Sequence, residues 1–209
     1  MKLVCFDLGG VLVRITLYVP EAARRAGLEH LEVPLVTFGE LPCFLAFQAG
    51  KIQAEDYRHQ LAKVLGCSES EALAVHNHIP IEPYSGTLNL IQNLHHRGIR
   101  TACLSNTNEI HWDEMLHSGR FPNVASLQLK VASHIIKLEK PSPDVYRRFE
   151  ELSGASGDDI LLFDDGTVNV AGARLAGWQA EWIDPEGDPA AQMVKHLEVR
   201  GIHAAADVE

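Results

Sequence analysis

Lys2-Leu-Val-Cys-Phe-Asp-Leu-Gly-Gly10 decides the architecture. Its first half is a short apolar run of strand formers with no polar face, the pattern of a strand buried on both sides. The run stops at Asp7, and the paired glycines behind it permit a tight turn. Similar runs recur at 99–104, 124–129, 160–163 and 179–183, and each is predicted to be a strand. Helical patterns separate them. Leu88, Ile91 and Leu94 share one face of a helix closed by Gly98, and Val145, Phe149 and Leu152 mark a second, with Pro141 suited to its first turn. A third helix is predicted from Val168 to Ala176, before Gly177. The last opens at Asp188-Pro189, cap then first-turn proline, and turns Met193, Val194 and Leu197 inward. Strand alternating with helix predicts an α/β fold, a Rossmann-like parallel sheet covered on both faces.

Residues 14–83 break the alternation. They hold helical patterns, such as the stripe Tyr57, Leu61, Val64 and Leu65 ending at Gly66, and little that reads as a strand. A helical subdomain inserted after the first strand is the expectation, leaving 1–13 and 84–209 as the sheet domain. The 209 residues suffice for a core without disulfide or metal support. With 46% hydrophobic and 22% charged residues the chain is not a disordered one. A formal charge of -10 with no Lys/Arg cluster argues against nucleic acid and anionic lipid as partners. No apolar run approaches the roughly 18 residues of a membrane span, and Asp7 interrupts any signal-like start. Four cysteines, at 5, 43, 67 and 103, form no C-x-x-C pair. A reduced, cytoplasmic protein is therefore expected.

Ligands of an open parallel sheet bind beyond the carboxyl ends of its strands. Asp7 follows the first strand, Ser105-Asn106-Thr107-Asn108 the second, and Asp164-Asp165 the fourth; Lys140-Pro141 opens the helix before that fourth strand. Adjacent carboxylates at a strand end repel unless a cation lies between them. With Asp7 they make an all-oxygen set suited to Mg2+, and Lys140 is the candidate for a nearby positive group. Ser105 offers a hydroxyl, and the turn after it offers backbone N–H groups to an anion such as phosphate. Singly, each of these residues has a plain structural explanation as a turn former, cap or solvated side chain; their order and common location carry the argument.

Taken together, Phe6-Asp7-Leu-Gly-Gly-Val-Leu12, Leu104-Ser105-Asn106-Thr107-Asn108, Lys140-Pro-Ser-Pro-Asp-Val-Tyr146 and Phe163-Asp164-Asp165 with Asn169-Val-Ala-Gly-Ala173 resemble the four motifs of the haloacid dehalogenase-like hydrolases, in order and spacing. The resemblance implies a helical cap inserted after the first strand. For phosphatase members it implies that Asp7 attacks phosphorus to give an aspartyl-phosphate that water then hydrolyses. It places Mg2+ on Asp7, the Gly9 carbonyl and Asp164, with Asp165 acting through water or orienting Lys140. Ser105, Asn106 and Lys140 would hold the phosphoryl oxygens of a small phosphorylated metabolite.

One departure matters. The usual phosphatase motif has a second Asp two residues after the nucleophile, as general acid and base; here that position is Gly9. Losing such assistance costs about 10²–10⁴ in rate, which is severe for an alkyl leaving group and mild for one stable as an anion. Three expectations follow: a Mg2+-dependent phosphatase; a binding or regulatory member without turnover, to which Lys137 at a place where the family commonly has glycine also points; and a metal-free dehalogenase, against which Asp164-Asp165 speaks. The eleven histidines lack metal-ligand spacing and are expected on the surface or in the cap. Trp112, Trp178 and Trp182 are expected to pack, and Phe38, Phe44 and Phe47 to form the cap's own core. Substrate identity and oligomeric state are not written in the sequence.

Overall fold

The computed structural model describes residues 2–203. The chain enters β1 (Leu3–Phe6), loops into β2 (Val13–Ile15), and runs through α1 (Val19–Arg25), α2 (Pro42–Gln48), α3 (Ala54–Leu65) and α4 (Glu69–Asn77) before β3 (Pro80–Pro83). It then alternates: α5 (Thr87–His96), β4 (Arg100–Ser105), α6 (Glu109–His117), the short α7 (Pro122–Ala125), β5 (Leu129–Ala132) and α8 (Ser133–Ile136). The last part holds α9 (Pro143–Ser153), β6 (Ile160–Asp164), α10 (Thr167–Leu175), β7 (Gln179–Trp182) and α11 (Pro189–Glu198). No helix among the described residues is long and apolar enough to cross a membrane.

Five of these strands form one parallel sheet in the order β5-β4-β1-β6-β7. β1 sits at the centre, with Phe6 in register with Cys103 of β4 and Phe163 of β6. Because side chains alternate along a strand, Val4, Phe6, Leu161 and Phe163 enter the core on one face, while Leu3, Cys5, Ile160 and Leu162 enter the core on the other. Both faces are dry, which is why these strands read as unbroken apolar runs rather than alternating ones. The chain leaves β1 toward β4 and β5 and later returns to β6 on the opposite side. That reversal opens a crevice at the carboxyl end of β1.

The insertion has its own core, in which Phe38, Phe44, Phe47, Tyr57 and Leu61 are buried. Each such side chain contributes about 1.5–3 kcal/mol by leaving water, so the cap is held by its own packing. Where little in 14–83 reads as a strand, the insertion is bracketed by two strands, β2 and β3, paired antiparallel with Arg14 opposite Glu82. Pro80 and Pro83 hide β3 in the sequence, since proline is tolerated in edge strands but argues against one on reading.

Four further expectations are corrected. The run 124–129 is not a strand: Pro122 starts the short α7, where its missing N–H costs nothing, and β5 begins only at Leu129, opposite Ala102. Pro143, not Pro141, takes the first turn of α9; Pro141 follows Lys140 in the preceding loop. On that helix Tyr146 is buried with Val145 and Phe149 while Leu152 is exposed, and on α3 Val64 faces outward. Trp178 packs in the core, but Trp182 is half exposed. Lys137 adopts the left-handed conformation (φ 59°) that favours glycine, and its Nζ donates to the Gly50 carbonyl of the cap at 2.7 Å.

Candidate active site

The predicted site residues converge. Ser105 is the last residue of β4 and Asp164 the last of β6; Asp7 follows β1 between them. Lys140 reaches the same point from the loop before α9, with its Nζ 3.1 Å from Asp7 Oδ2 and 2.6 Å from Asp164 Oδ2. Its main chain is fixed by Asn106, whose side chain accepts from the Lys140 N–H and donates to the Lys140 carbonyl, both at 2.9 Å. The Asn106 side chain is thereby spent on positioning Lys140, and what it offers an anion is its backbone N–H.

Each carboxylate is separately oriented. Asp7 Oδ1 accepts from the Leu8 N–H at 2.7 Å. Asp164 Oδ1 accepts from the Gly166 N–H and from Asn169 Nδ2 at 2.8 and 2.9 Å. The Asp165 carbonyl accepts from Trp182 Nε1 at 2.7 Å, which gives the half-exposed tryptophan a task on the site loop. Gly10 lies directly against the Asp165 carboxylate in the left-handed region (φ 73°), where any Cβ would collide with it. Lys140 pairs with Asp164 and not with Asp165, against one of the two roles expected of Asp165, that of orienting Lys140. β6 ends between the two: Asp164 is its last residue, and Asp165, the first of the loop, lines the cavity.

Ligand atoms of Asp7, Asp164 and Asp165 lie within 4.8 Å of one another. Burial pushes the Asp7 carboxyl up from its ordinary range, and Asp164 pushes it further against the pull of Lys140. Burial, then the charges of Asp7 and Asp164, raise Asp165 in the same direction. Burial works to lower Lys140, but the two carboxylates outweigh it and hold the amine charged. Three acids against one lysine leave an unmet demand for positive charge, and an all-oxygen donor set of this kind fits a hard cation such as Mg2+.

The cavity above Asp7 has a volume of about 240 Å3 and includes Gly9, Ser105 and Asn106 on the sheet side. A Cβ on Gly9 would lie 2.7 Å from Cδ1, the free end of the Ile15 side chain at the close of β2, so Ile15 would have to turn aside for it. The cap's part of the lining brings no acid, Gln48 being its one polar side chain.

His76, in the cap as expected, and His111, which is neither at the surface nor in the cap, are buried and join cap to sheet domain. The hydrogen bonds order themselves from the one fixed acceptor. His111 Nε2 faces the His76 carbonyl at 3.0 Å and must donate, so its Nδ1 accepts from Asn108 Nδ2 at 3.1 Å. Asn108 Oδ1 then accepts from His76 Nε2 at 3.3 Å, and His76 Nδ1 accepts from the Tyr57 hydroxyl at 2.7 Å. Both rings are neutral: burial, then His111, holds His76 well below its usual value, and burial lowers His111 to about 4. The same Asn108 caps α6 through the His111 N–H. No sequence signal marks this pair, since the rings lie 35 positions apart without a ligand spacing.

Residues 1–177 match the haloacid dehalogenase-like hydrolase family. Haloacetate dehalogenase H-2 of Moraxella sp. is 28% identical over 69% of this chain, and the match spans 63% of that enzyme's length. The D-ribitol-5-phosphate phosphatase of Bacteroides thetaiotaomicron is 25% identical over 89% of this chain and 92% of its own. In fold the chain is similar to a HAD-family enzyme from the same organism, solved with magnesium and inorganic phosphate, at a TM-score of 0.75 and 23% identity over 90% of this chain and 96% of that one. With the family match covering most of its length and its motifs meeting at one end of one sheet, the chain belongs to the haloacid dehalogenase-like hydrolases.

Proposed function

We propose that the protein is a Mg2+-dependent phosphatase acting on a small phosphorylated metabolite through an aspartyl-phosphate. The observation that carries the reading is the convergence of Asp7, Asp164 and Asp165 within 4.8 Å beside a buried Lys140. A site that attacks carbon without metal has no use for two further carboxylates, which weighs against transfer of the dehalogenase relative's chemistry. The phosphatase relative and the magnesium and phosphate in the similar structure support the proposal.

Asp7 forms a bond to phosphorus as the ester P–O bond breaks. A water then attacks phosphorus, and the aspartyl C–O–P link opens at its P–O bond to return the carboxylate and release phosphate. Ser105, the Asn106 backbone N–H and Lys140 hold the phosphoryl oxygens, so catalysis is mainly positioning and charge compensation. Asp7, the Gly9 carbonyl and Asp165 would hold Mg2+, Asp165 in place of the expected Asp164, whose Oδ2 is taken by Lys140 and whose Oδ1 is taken by Gly166 and Asn169, and the ion would supply the positive charge this acidic cluster lacks. Gly9 has no proton to give, and the leaving group departs with its electron pair and takes its proton from water.

The test is phosphate release from an aryl phosphate with and without Mg2+, comparing wild type with Asp7→Asn. Metal-dependent release that vanishes in the variant is the expected result. Mg2+ binding without release establishes the binding reading suggested by Gly9, and turnover of a haloacid that survives a chelator establishes the dehalogenase.

A further inference from the structure

We infer that the group leaving phosphorus is compact, apolar and without a second charge. This rests on the phosphatase reading and deepens it. The insertion lines the cavity with Ile15, Leu17, Phe44, Leu45 and Ile79, and Met115 of α6 adds to this apolar wall. Leu17 and Leu45 are 39% and 46% exposed at its mouth. Large apolar side chains left half in water around the mouth of a site are covered when an apolar ligand enters, and that burial favours such a ligand.

Polar partners are scarce on that wall. Gln48, its one polar side chain, already donates to Glu139 at 3.3 Å. The lining holds no arginine or lysine side chain. Arg14 lines an adjoining cleft that shares Ile15, Leu17 and Asp165 with the cavity, and it is engaged there, with Glu82 3.6 Å from its Nε and the Tyr84 ring 4.9 Å from its guanidinium carbon. A carboxylate or second phosphate on the leaving group would be buried without a counter-charge. The hydroxyls of a polyol would meet no side-chain partner from the insertion beyond Gln48, at about 1–3 kcal/mol for each group left unsatisfied there. The volume of about 240 Å3 falls below the roughly 300–1,000 Å3 common for larger ligands, which limits the size of the group.

Apolarity must be separated from intrinsic reactivity, because Gly9 already favours good leaving groups. With the Mg2+-loaded protein, kcat/KM is measured for 4-isopropylphenyl phosphate and 4-carboxyphenyl phosphate. The carboxylate withdraws electrons weakly, so the second phenol is the better leaving group. A preference of at least tenfold for the isopropyl compound is expected. Leu45→Lys, at a half-exposed position, should narrow that ratio at least tenfold by improving the charged substrate, and Leu17→Arg repeats the test from the other side of the mouth.

Equal or better use of the carboxylated substrate, or faster release from ribitol 5-phosphate than from the isopropyl ester, overturns the inference and leaves the phosphatase reading standing. Release from neither aryl ester overturns the phosphatase reading itself.

Discussion

His76 and His111 lie face to face, ring centroids 4.0 Å apart and planes 6° from parallel, one ring from the cap and the other from the first turn of α6. Both are neutral, and neutrality has a pH signature. The unfolded histidine takes a proton near 6.5 and folded His111 near 4, so between those values the unfolded state binds more protons and stability is lost as pH falls. From pH 7 to 5 His111 contributes a loss of about 2 kcal/mol, and His76 acts in the same direction. Asp7 and Asp165, raised in the fold, have the opposite sign. Urea unfolding of wild type and His111→Gln at both pH values therefore isolates the ring, with wild type expected to lose about 2 kcal/mol more than the variant; equal losses would show the ring is not held neutral.

Asp7→Asn should abolish phosphate release yet stabilise the metal-free protein. The site disfavours the charge on Asp7, and a neutral amide of the same shape avoids that cost. Thermal unfolding in chelator reads the effect, with Tm rising about 2–4 °C per kcal/mol gained for a chain of this size. A fall in Tm would mean that the attraction of Lys140 to Asp7 outweighs the repulsion.

Gly9→Asp alone should recover little, because Ile15 occupies the space its side chain needs. Paired with Ile15→Val, it should raise turnover of an alkyl phosphate by about 10²–10⁴ while changing an aryl phosphate far less. Initial rates on both esters decide it. A single Gly9→Asp variant as active as the pair would show that Ile15 simply turns aside.

Gly10→Ala places a methyl group against Asp165 at a positive φ. A left-handed non-glycine residue costs about 1–2 kcal/mol, and displacement of the carboxylate should weaken Mg2+ binding more than tenfold by calorimetry. Unchanged affinity would remove Asp165 from the metal set.

Much of this arrangement was readable from order and periodicity alone. Asp7, Ser105 and Asp164 stand at the ends of runs whose two-sided burial leaves an unmistakable apolar signature, and the parallel topology then requires those ends to meet. The pairing of Lys140 with Asp164 was not accessible, because Asp164 and Asp165 look alike until β6 is known to end between them. Other features depend on long-range packing. His76 meets His111 only because the cap folds back over α6, Ile15 reaches Gly9 only because β2 turns beside it, and β3 declares itself only by pairing across Pro80 and Pro83.

The paired strands at the root of the insertion have a consequence for how such a protein changes over time. Arg14 and Glu82 lie opposite one another in the ribbon, so the two points where the chain leaves and rejoins the sheet domain are neighbours, and the Thr16 N–H bonds to the Ile79 carbonyl at 3.0 Å just beyond. Everything between them is a cassette on a common stem. A different sequence could be spliced into that stem with little rearrangement of the strands carrying Asp7 and Asp164, so the recognition surface can diverge while the chemistry beneath it stays put.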